Sequence, residues 1–257
     1  MLISIVMEMI ISPFNLKAFS IKAFFTTKPL NGNPTELFKN IGISENNIYL
    51  PIQKHTGKVM MLENDLSPVI ADAVITKRKN ILIGIQVADC VPMLLYDKQQ
   101  GVAGAVHAGW RGTAEGILKN TIKLICDRFH SVPEDIMVAF GPSIRWCCYN
   151  VGYEVLAMVM KSTGSGDYYK KKNDIFYIDL ATANKYQAIS MGIPEENLWI
   201  SQECTHCNPD RFYSYRYTKG PTGRQGGFIG IFQTHEGIVF ERHHFADLPA
   251  GRQVFRQ

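Results

Sequence analysis

The chain has 257 residues, 46% apolar and 19% charged, with 14 Phe and 11 Tyr; so much core-forming side chain excludes an intrinsically disordered protein. That length sits between one large domain and two small ones. The formal charge of +4 and sequence pI of about 8.6 are spread along the chain apart from the run Lys170-Lys171-Lys172, which suits small anionic ligands and lacks the dense basic stripe of a nucleic-acid-binding surface.

Residues 1–11 are largely apolar, interrupted by Glu8, with no basic start and no small-residue cleavage site. They are too short to span a bilayer, so residues 1–13 are expected to be a leader or a first strand. A helix is expected from about Pro34. Apolar runs at 81–87, 92–96, 102–107, 136–140, 175–178, 197–201 and 227–232, bounded by Gly, Pro and Asp, predict strands. Ile117, Leu118, Ile122, Ile125 and Phe129 recur at helical spacing, which predicts an amphipathic helix capped by Thr113 and ending before Pro133. Helices are also predicted over 151–162 and 181–191, the second closed by Gly192. Residues 246–257 have neither period nor apolar face and read as a frayed tail after one domain over 14–245.

An offset of 150 residues relates Gly42-Ile43-Ser44-Glu45-Asn46-Asn47-Ile48 to Gly192-Ile193-Pro194-Glu195-Glu196-Asn197-Leu198, with Pro133-Glu134-Asp135-Ile136 a looser third copy. Internal duplication and convergent turn chemistry both account for it. Either way, two strands run into potential ligands, His55 after the first and Cys204 after the second. Strand ends are where α/β proteins build sites.

Six cysteines stand at 90, 126, 147, 148, 204 and 207. A chain with a full core does not need disulfide staples, so they read as reduced thiols of a cytoplasmic protein. Cys90 follows one predicted strand and His107 ends another. Cys and His together are a zinc-type donor pair, and a catalytic zinc needs a third ligand, for which His55 is the best placed histidine. Spacing alone leaves the alternative of a buried thiol and satisfied histidines open. Cys204-Thr205-His206-Cys207 looks like half of a structural zinc site, with Cys147-Cys148 a conceivable other half. Adjacent cysteines do not supply the second CxxC of a zinc ribbon, so packing and loop roles are expected for all four.

The segments ADCVPMLLYD (88–97), VHAGWRGTAEGI (106–117), GPSIRWCCYNVGYEV (141–155), FYIDL (176–180) and CTHCNPDRFYSYRYTKGPTGRQGGFIGI (204–231) are similar to the YfiH-like family, also described as laccase-domain or multicopper polyphenol oxidoreductases and associated with purine nucleoside phosphorylase activity. The resemblance implies an α/β fold of mixed β-sheets flanked by helices. It also implies a catalytic zinc held by His55, Cys90 and His107, copper being the less favoured metal. Purine nucleosides and phosphate would be the substrates: adenosine, inosine and methylthioadenosine cleaved to base and ribose 1-phosphate, with adenosine deamination as a second activity. Phosphate needs a bidentate cation. Arg111 is the first candidate, near the start of the central helix where free N–H groups favour anions. Arg216 and Arg224 follow, with Phe212, Tyr213 and Tyr215 as faces on which a purine could stack. Asp89 is a weaker candidate for orienting a ligand or acting as a base, because neighbouring side chains on a strand point to opposite faces. The chain departs from the family in a shorter segment before the first ligand and in Lys28 where an Arg is usual. Rival readings are a copper-dependent phenol oxidase, a zinc or cysteine amidase acting on a cell-wall precursor, and a non-catalytic thiol or metal-binding module.

Overall fold

The structure, a computed structural model, describes residues 9–17, 20–41 and 43–232; residues 1–8 and the tail expected over 246–257 lie outside them. Two large sheets stack face to face. One contains β1 (Ile10–Ile11), β2 (Ile21–Thr26), β3 (Ile48–Tyr49), β6 (Ile81–Val87) and β14 (Gln225–Ile231), in the order β1-β2-β14-β6-β3. The other contains β4 (Val59–Met61), β5 (Ala73–Thr76), β7 (Val91–Asp97), β8 (Val102–Ala108), β9 (Ile136–Phe140) and β13 (Leu198–Ile200), in the order β13-β9-β7-β8-β5-β4. A small sheet, β10-β12-β11, is made by Asn150–Val151, Ile175–Ile178 and Tyr169–Lys172.

The two-residue alternation of strand side chains divides the core. On β7, Val91, Met93 and Leu95 face one core while Leu94 and Tyr96 face another, and on β8 Val106 and Ala108 separate from Ala103 and Ala105 in the same way. The inner core lies between the sheets and joins Ile83, Ile85 and Ile229 of one to Val74, Leu94 and Ala105 of the other. The outer face of the six-stranded sheet carries α2 (Trp110–Ala114), α3 (Ile117–Phe129), α4 (Tyr153–Thr163) and α5 (Leu180–Ser190), which bury Ile117, Ile122, Leu156, Val159 and Leu180. The outer face of the five-stranded sheet packs Phe24, Leu82 and Phe228 against Leu37 of α1 (Pro34–Ile41). Each such aliphatic or aromatic side chain contributes about 1.5–3 kcal/mol by leaving water. These layers are the mixed sheets flanked by helices that the sequence predicts, in one domain.

The predicted strands are all present. The central helix differs: Thr113 does not cap it but lies inside the five-residue α2, buried, where its hydroxyl accepts a hydrogen bond from Asn184 Nδ2 at 2.9 Å. Gly116, at φ +68°, then separates α2 from α3, a conformation that a Cβ disfavours. The helix predicted from 151 starts at Tyr153, because Asn150 and Val151 pair with Tyr177 and Phe176 of β12. Gly192 takes φ +90° just after α5, as expected of a residue closing a helix.

The two related segments also share geometry. In each, a single 3-10 turn (Glu45–Asn47, Glu195–Asn197) leads into an edge strand that pairs in parallel, β3 with β6 and β13 with β9.

Candidate metal centre

β6 and β7 belong to different sheets, and residues 88–90 carry the chain from one to the other. The step is tight enough to force Asp89 to φ +87°, unusual for a non-glycine residue. Three hydrogen bonds hold it there: its carboxylate accepts from Thr205 Oγ1 (2.6 Å) and the Arg216 N–H (2.7 Å), and its carbonyl from the Ile144 N–H (2.9 Å). Cys90 emerges next, one register step beyond the Val91–Ala108 pair and so opposite Gly109.

His107 lies on β8 next to β5, and its N–H donates to the carbonyl of Asp72 at 2.8 Å. The fully buried Asp72 carboxylate organises everything around it. Oδ1 accepts from His107 Nδ1 (2.8 Å) and the His55 N–H (3.0 Å), and Oδ2 from the N–H groups of Lys54 (3.2 Å) and Thr56 (2.6 Å) and from Thr56 Oγ1 (2.8 Å). Burial opposes its charge, but His107 and these donors outweigh burial and hold the carboxyl well below the usual carboxylate range. Wrapping the 54–56 loop around one carboxylate places His55 at φ +59° with its ring toward Cys90.

The donor atoms of His55, Cys90 and His107 thereby lie within 4.8 Å of one another, with His55 Nε2 3.9 Å from Cys90 Sγ and the two imidazoles edge to face at 4.8 Å between centroids. A tetrahedral zinc ion would hold N and S donors about 3.5 Å apart. Asp72 fixes a proton of His107 on Nδ1 and turns Nε2 to a ligand bond, as carboxylates commonly do for metal-bound histidines. Burial disfavours charge on Cys90, yet the two histidines bring its thiol down to about 6. Burial also disfavours the cation at His107, yet Cys90 and Asp72 raise its pKa to about 9. Two anionic groups therefore favour positive charge where the three donors converge, and the residues present fit a metal ion. Gly109 keeps the place open: a Cβ there would stand 3.0 Å from Cys90 Sγ and 3.2 Å from His55 Cδ2.

Of the predicted anion-binding residues, Arg111 and Arg216 gather near this centre and Arg224 binds locally. Arg216 lies 5.0 Å from the centroid of the Tyr149 ring and donates to Asn150 Oδ1 at 2.7 Å. Arg111 stacks on Trp110 at 4.3 Å. Burial and the Cys90 charge raise the Tyr149 phenol to about 12 against the opposing pull of Arg216 and Arg111, so all four groups share one field. The helix carrying Arg111 has only five residues, so the long-helix dipole expected to help it is missing. Arg224 donates to the carbonyls of Thr222 (2.9 Å) and Gly223 (3.0 Å) in its own loop. Tyr215 opens α6 (Tyr215–Thr218) and is half exposed, and Tyr213 has the Lys28 ammonium 5.4 Å from its ring centroid. Phe212 is buried in the core, which removes it as a stacking face.

Sequence reasoning missed Asp72 and Tyr149. The signal for Asp72 was a carboxylate inside the apolar stretch Ile70-Ala71-Asp72-Ala73-Val74, since buried carboxylates are rare unless paired. Both oxygens of the Asp89 carboxylate are engaged, one by the Thr205 hydroxyl and the other by the Arg216 N–H, so it holds the turn that presents Cys90.

The four cysteines for which packing and loop roles are expected, Cys147, Cys148, Cys204 and Cys207, come together in space. A turn at 146–148 swings both adjacent thiols to one side, and Cys147, Cys148, Cys204 and Cys207 converge with their sulfurs within 4.8 Å of one another.

Stacked sheets with a His-Cys-His centre where the chain crosses between them define an α/β protein of the YfiH type. The chain belongs to the family described as multi-copper polyphenol oxidoreductase laccase, whose model matches residues 26–232. It is 35% identical over 170 residues to the purine nucleoside phosphorylase YlmD of Geobacillus stearothermophilus, covering 62% of this chain and 59% of that protein. It is 32% identical over 216 residues to the adenosine deaminase RL5 of an unknown prokaryotic organism, covering 77% of this chain and 79% of that protein. Among solved structures, YfiH of Bacillus licheniformis superposes with a TM-score of 0.76 at 26% identity, covering 82% of this chain and 92% of that one. Among the described residues, no helix is long and apolar enough to cross a membrane.

Proposed function

We propose that this chain is a zinc-dependent purine nucleoside enzyme that cleaves adenosine or inosine with phosphate to the free base and ribose 1-phosphate and deaminates adenosine as a second activity. The observation that carries the reading is the convergence of His55, Cys90 and His107 around a histidine oriented by a buried carboxylate, beside two arginines. The names of its relatives support the substrate class. His55, Cys90 and His107 would hold the zinc ion, which when bound supplies a Lewis acid with an open coordination position. Asp72 keeps the His107 proton on Nδ1 throughout. Arg111, exposed on α2 and stacked on Trp110, and Arg216, anchored through Asn150, supply the positive field for phosphate. Tyr149, with its phenol pKa raised to about 12, stays protonated at neutral pH and offers an O–H donor beside the centre.

Incubation of the purified protein with adenosine and phosphate tests the proposal. Adenine with ribose 1-phosphate supports phosphorolysis and inosine supports deamination. If neither forms while a phenolic substrate is oxidised with copper bound, the reading gives way to the oxidase that the family description names.

A further inference from the structure

The four cysteines that converge away from His55 and His107 come from two loops. Cys147 and Cys148 sit on the turn that follows Arg145, and Cys204 and Cys207 on the turn that follows β13. The Cys207 sulfur lies 3.6 Å from that of Cys147 and 3.3 Å from that of Cys148. Four sulfurs bound to one tetrahedral zinc ion at about 2.3 Å stand about 3.8 Å apart, whereas a disulfide requires about 2.05 Å. The observed spacing therefore matches shared coordination with little adjustment. The Arg145 N–H points at Cys204 Sγ from 3.4 Å, an outer contact of the kind that steadies a ligating thiolate. The loops themselves are already held in place. Arg145 Nε donates to Asp179 at 2.7 Å and its Nη1 to the carbonyl of Ser201 at 2.6 Å, and Ser143 bridges to Cys204. Cys204 is buried while Cys147 and Cys207 are exposed, so the cluster opens to solvent on one side and an ion can enter.

We propose that Cys147, Cys148, Cys204 and Cys207 form a second metal site, a structural zinc ion with four thiolate ligands, separate from the His55, Cys90 and His107 centre. Four thiolates complete a tetrahedron and leave no open position, so this ion holds structure. Loading releases the thiol protons to solvent. The zinc clamps the 143–149 loop to the 201–208 loop. Those loops supply the Ile144 N–H and the Thr205 hydroxyl that hold Asp89, the neighbour of Cys90, and they carry Tyr149. The second ion thus fixes one wall of the first centre.

Metal analysis of the full chain, purified anaerobically without chelator, tests this. The expected content is two zinc ions per chain. His55→Ala with His107→Ala is expected to keep one zinc and Cys147→Ser with Cys207→Ser to keep the other, so each ion is held by its own ligands. Cobalt substitution of the histidine variant is expected to retain an intense thiolate charge-transfer band. Should the serine variant fail to fold, alkylation of the unmutated chain decides: Cys147, Cys148, Cys204 and Cys207 are expected to be protected together and to react together, with at least a tenfold rise in rate, once zinc is chelated. One zinc per chain with all four thiols freely alkylated overturns the proposal, as does a Cys148 to Cys207 disulfide in the fresh protein or iron in place of zinc.

Discussion

Replacing Asp72 by Asn tests whether a single carboxylate builds the metal centre. Five donors converge on its two oxygens, three on Oδ2 and two on Oδ1. Asparagine keeps one acceptor oxygen, and the less costly orientation leaves it at Oδ2 and turns the amide NH2 toward the His55 N–H and His107 Nδ1. The His55 N–H then faces a donor in a buried place, a loss of about 1–3 kcal/mol. His107 can answer the amide only by making Nδ1 an acceptor, which moves its proton to Nε2, the atom that must be bare to bind metal. Losing an orienting partner of this kind lowers metal affinity about 10–100-fold. With the charge-assisted bonds to the 54–56 loop weakened as well, the whole substitution is expected to destabilise the fold by about 3–5 kcal/mol. Zinc affinity is read by competition against a chromophoric chelator, after circular dichroism has confirmed that the variant is folded, and stability by urea denaturation of the metal-free forms. If Asp72→Asn binds zinc within threefold of the parent and unfolds within about 1 kcal/mol of it, Asp72 does not set the tautomer and the centre is organised by something else.

Gly109→Ala places a methyl group 3.0 Å from Cys90 Sγ; zinc content at the first centre is expected to fall while the thermal midpoint moves by only a few degrees, as metal analysis and calorimetry will show. Arg111→Ala is expected to raise the phosphate KM about tenfold with kcat changed far less, measured by phosphate titration at saturating nucleoside. Gly141→Ala drives a methyl group into the buried Phe25 ring, which is expected to destabilise the fold by about 1–3 kcal/mol in urea denaturation without loss of zinc. Burial raises the Tyr168 phenol to about 12, so its stabilisation is fully present below the unfolded phenol pKa of about 10 and is lost as pH rises through the folded value. Tyr168→Phe is therefore expected to flatten the fall in stability between those two pH values, seen by comparing urea midpoints of parent and variant.

What was legible in the sequence followed from pattern length. β6, β7, β8 and β9 are continuous apolar runs because they are covered on both faces, and α3 has a clear helical period because only one face is covered. Two-residue strands such as β1 and β10 leave no period to read, and α2 was invisible because Gly116 interrupts a pattern that otherwise runs on. The ligand types at His55, Cys90 and His107 could be named from chemistry. Their meeting could not, for it depends on the chain changing sheets at 88–90 and on Asp72 folding the 54–56 loop back, and both are tertiary events. The convergence of the cysteine quartet was not legible, because the CxxC rule describes one frequent turn, whereas a turn at 146–148 brings adjacent thiols to one side equally well.

The choice of aspartate at position 89 joins these sites. A positive φ at a non-glycine residue costs about 1–3 kcal/mol, and glycine would adopt it with less strain. Aspartate is there instead, and its carboxylate takes the Thr205 hydroxyl from the cysteine-bearing loop and the Arg216 N–H from the start of α6. Two short hydrogen bonds to an ionised acceptor, each contributing about 1.5–3 kcal/mol, offset the backbone strain. Glycine would keep the turn and lose both. The crossing therefore does more than connect two sheets: it carries Cys90 into the first centre, ties down the loop of the second cluster and sets the position of Arg216. A disturbance in the cysteine loops reaches the histidine centre through this residue, by the contacts of Thr205 at 2.6 Å and of Ile144 at 2.9 Å.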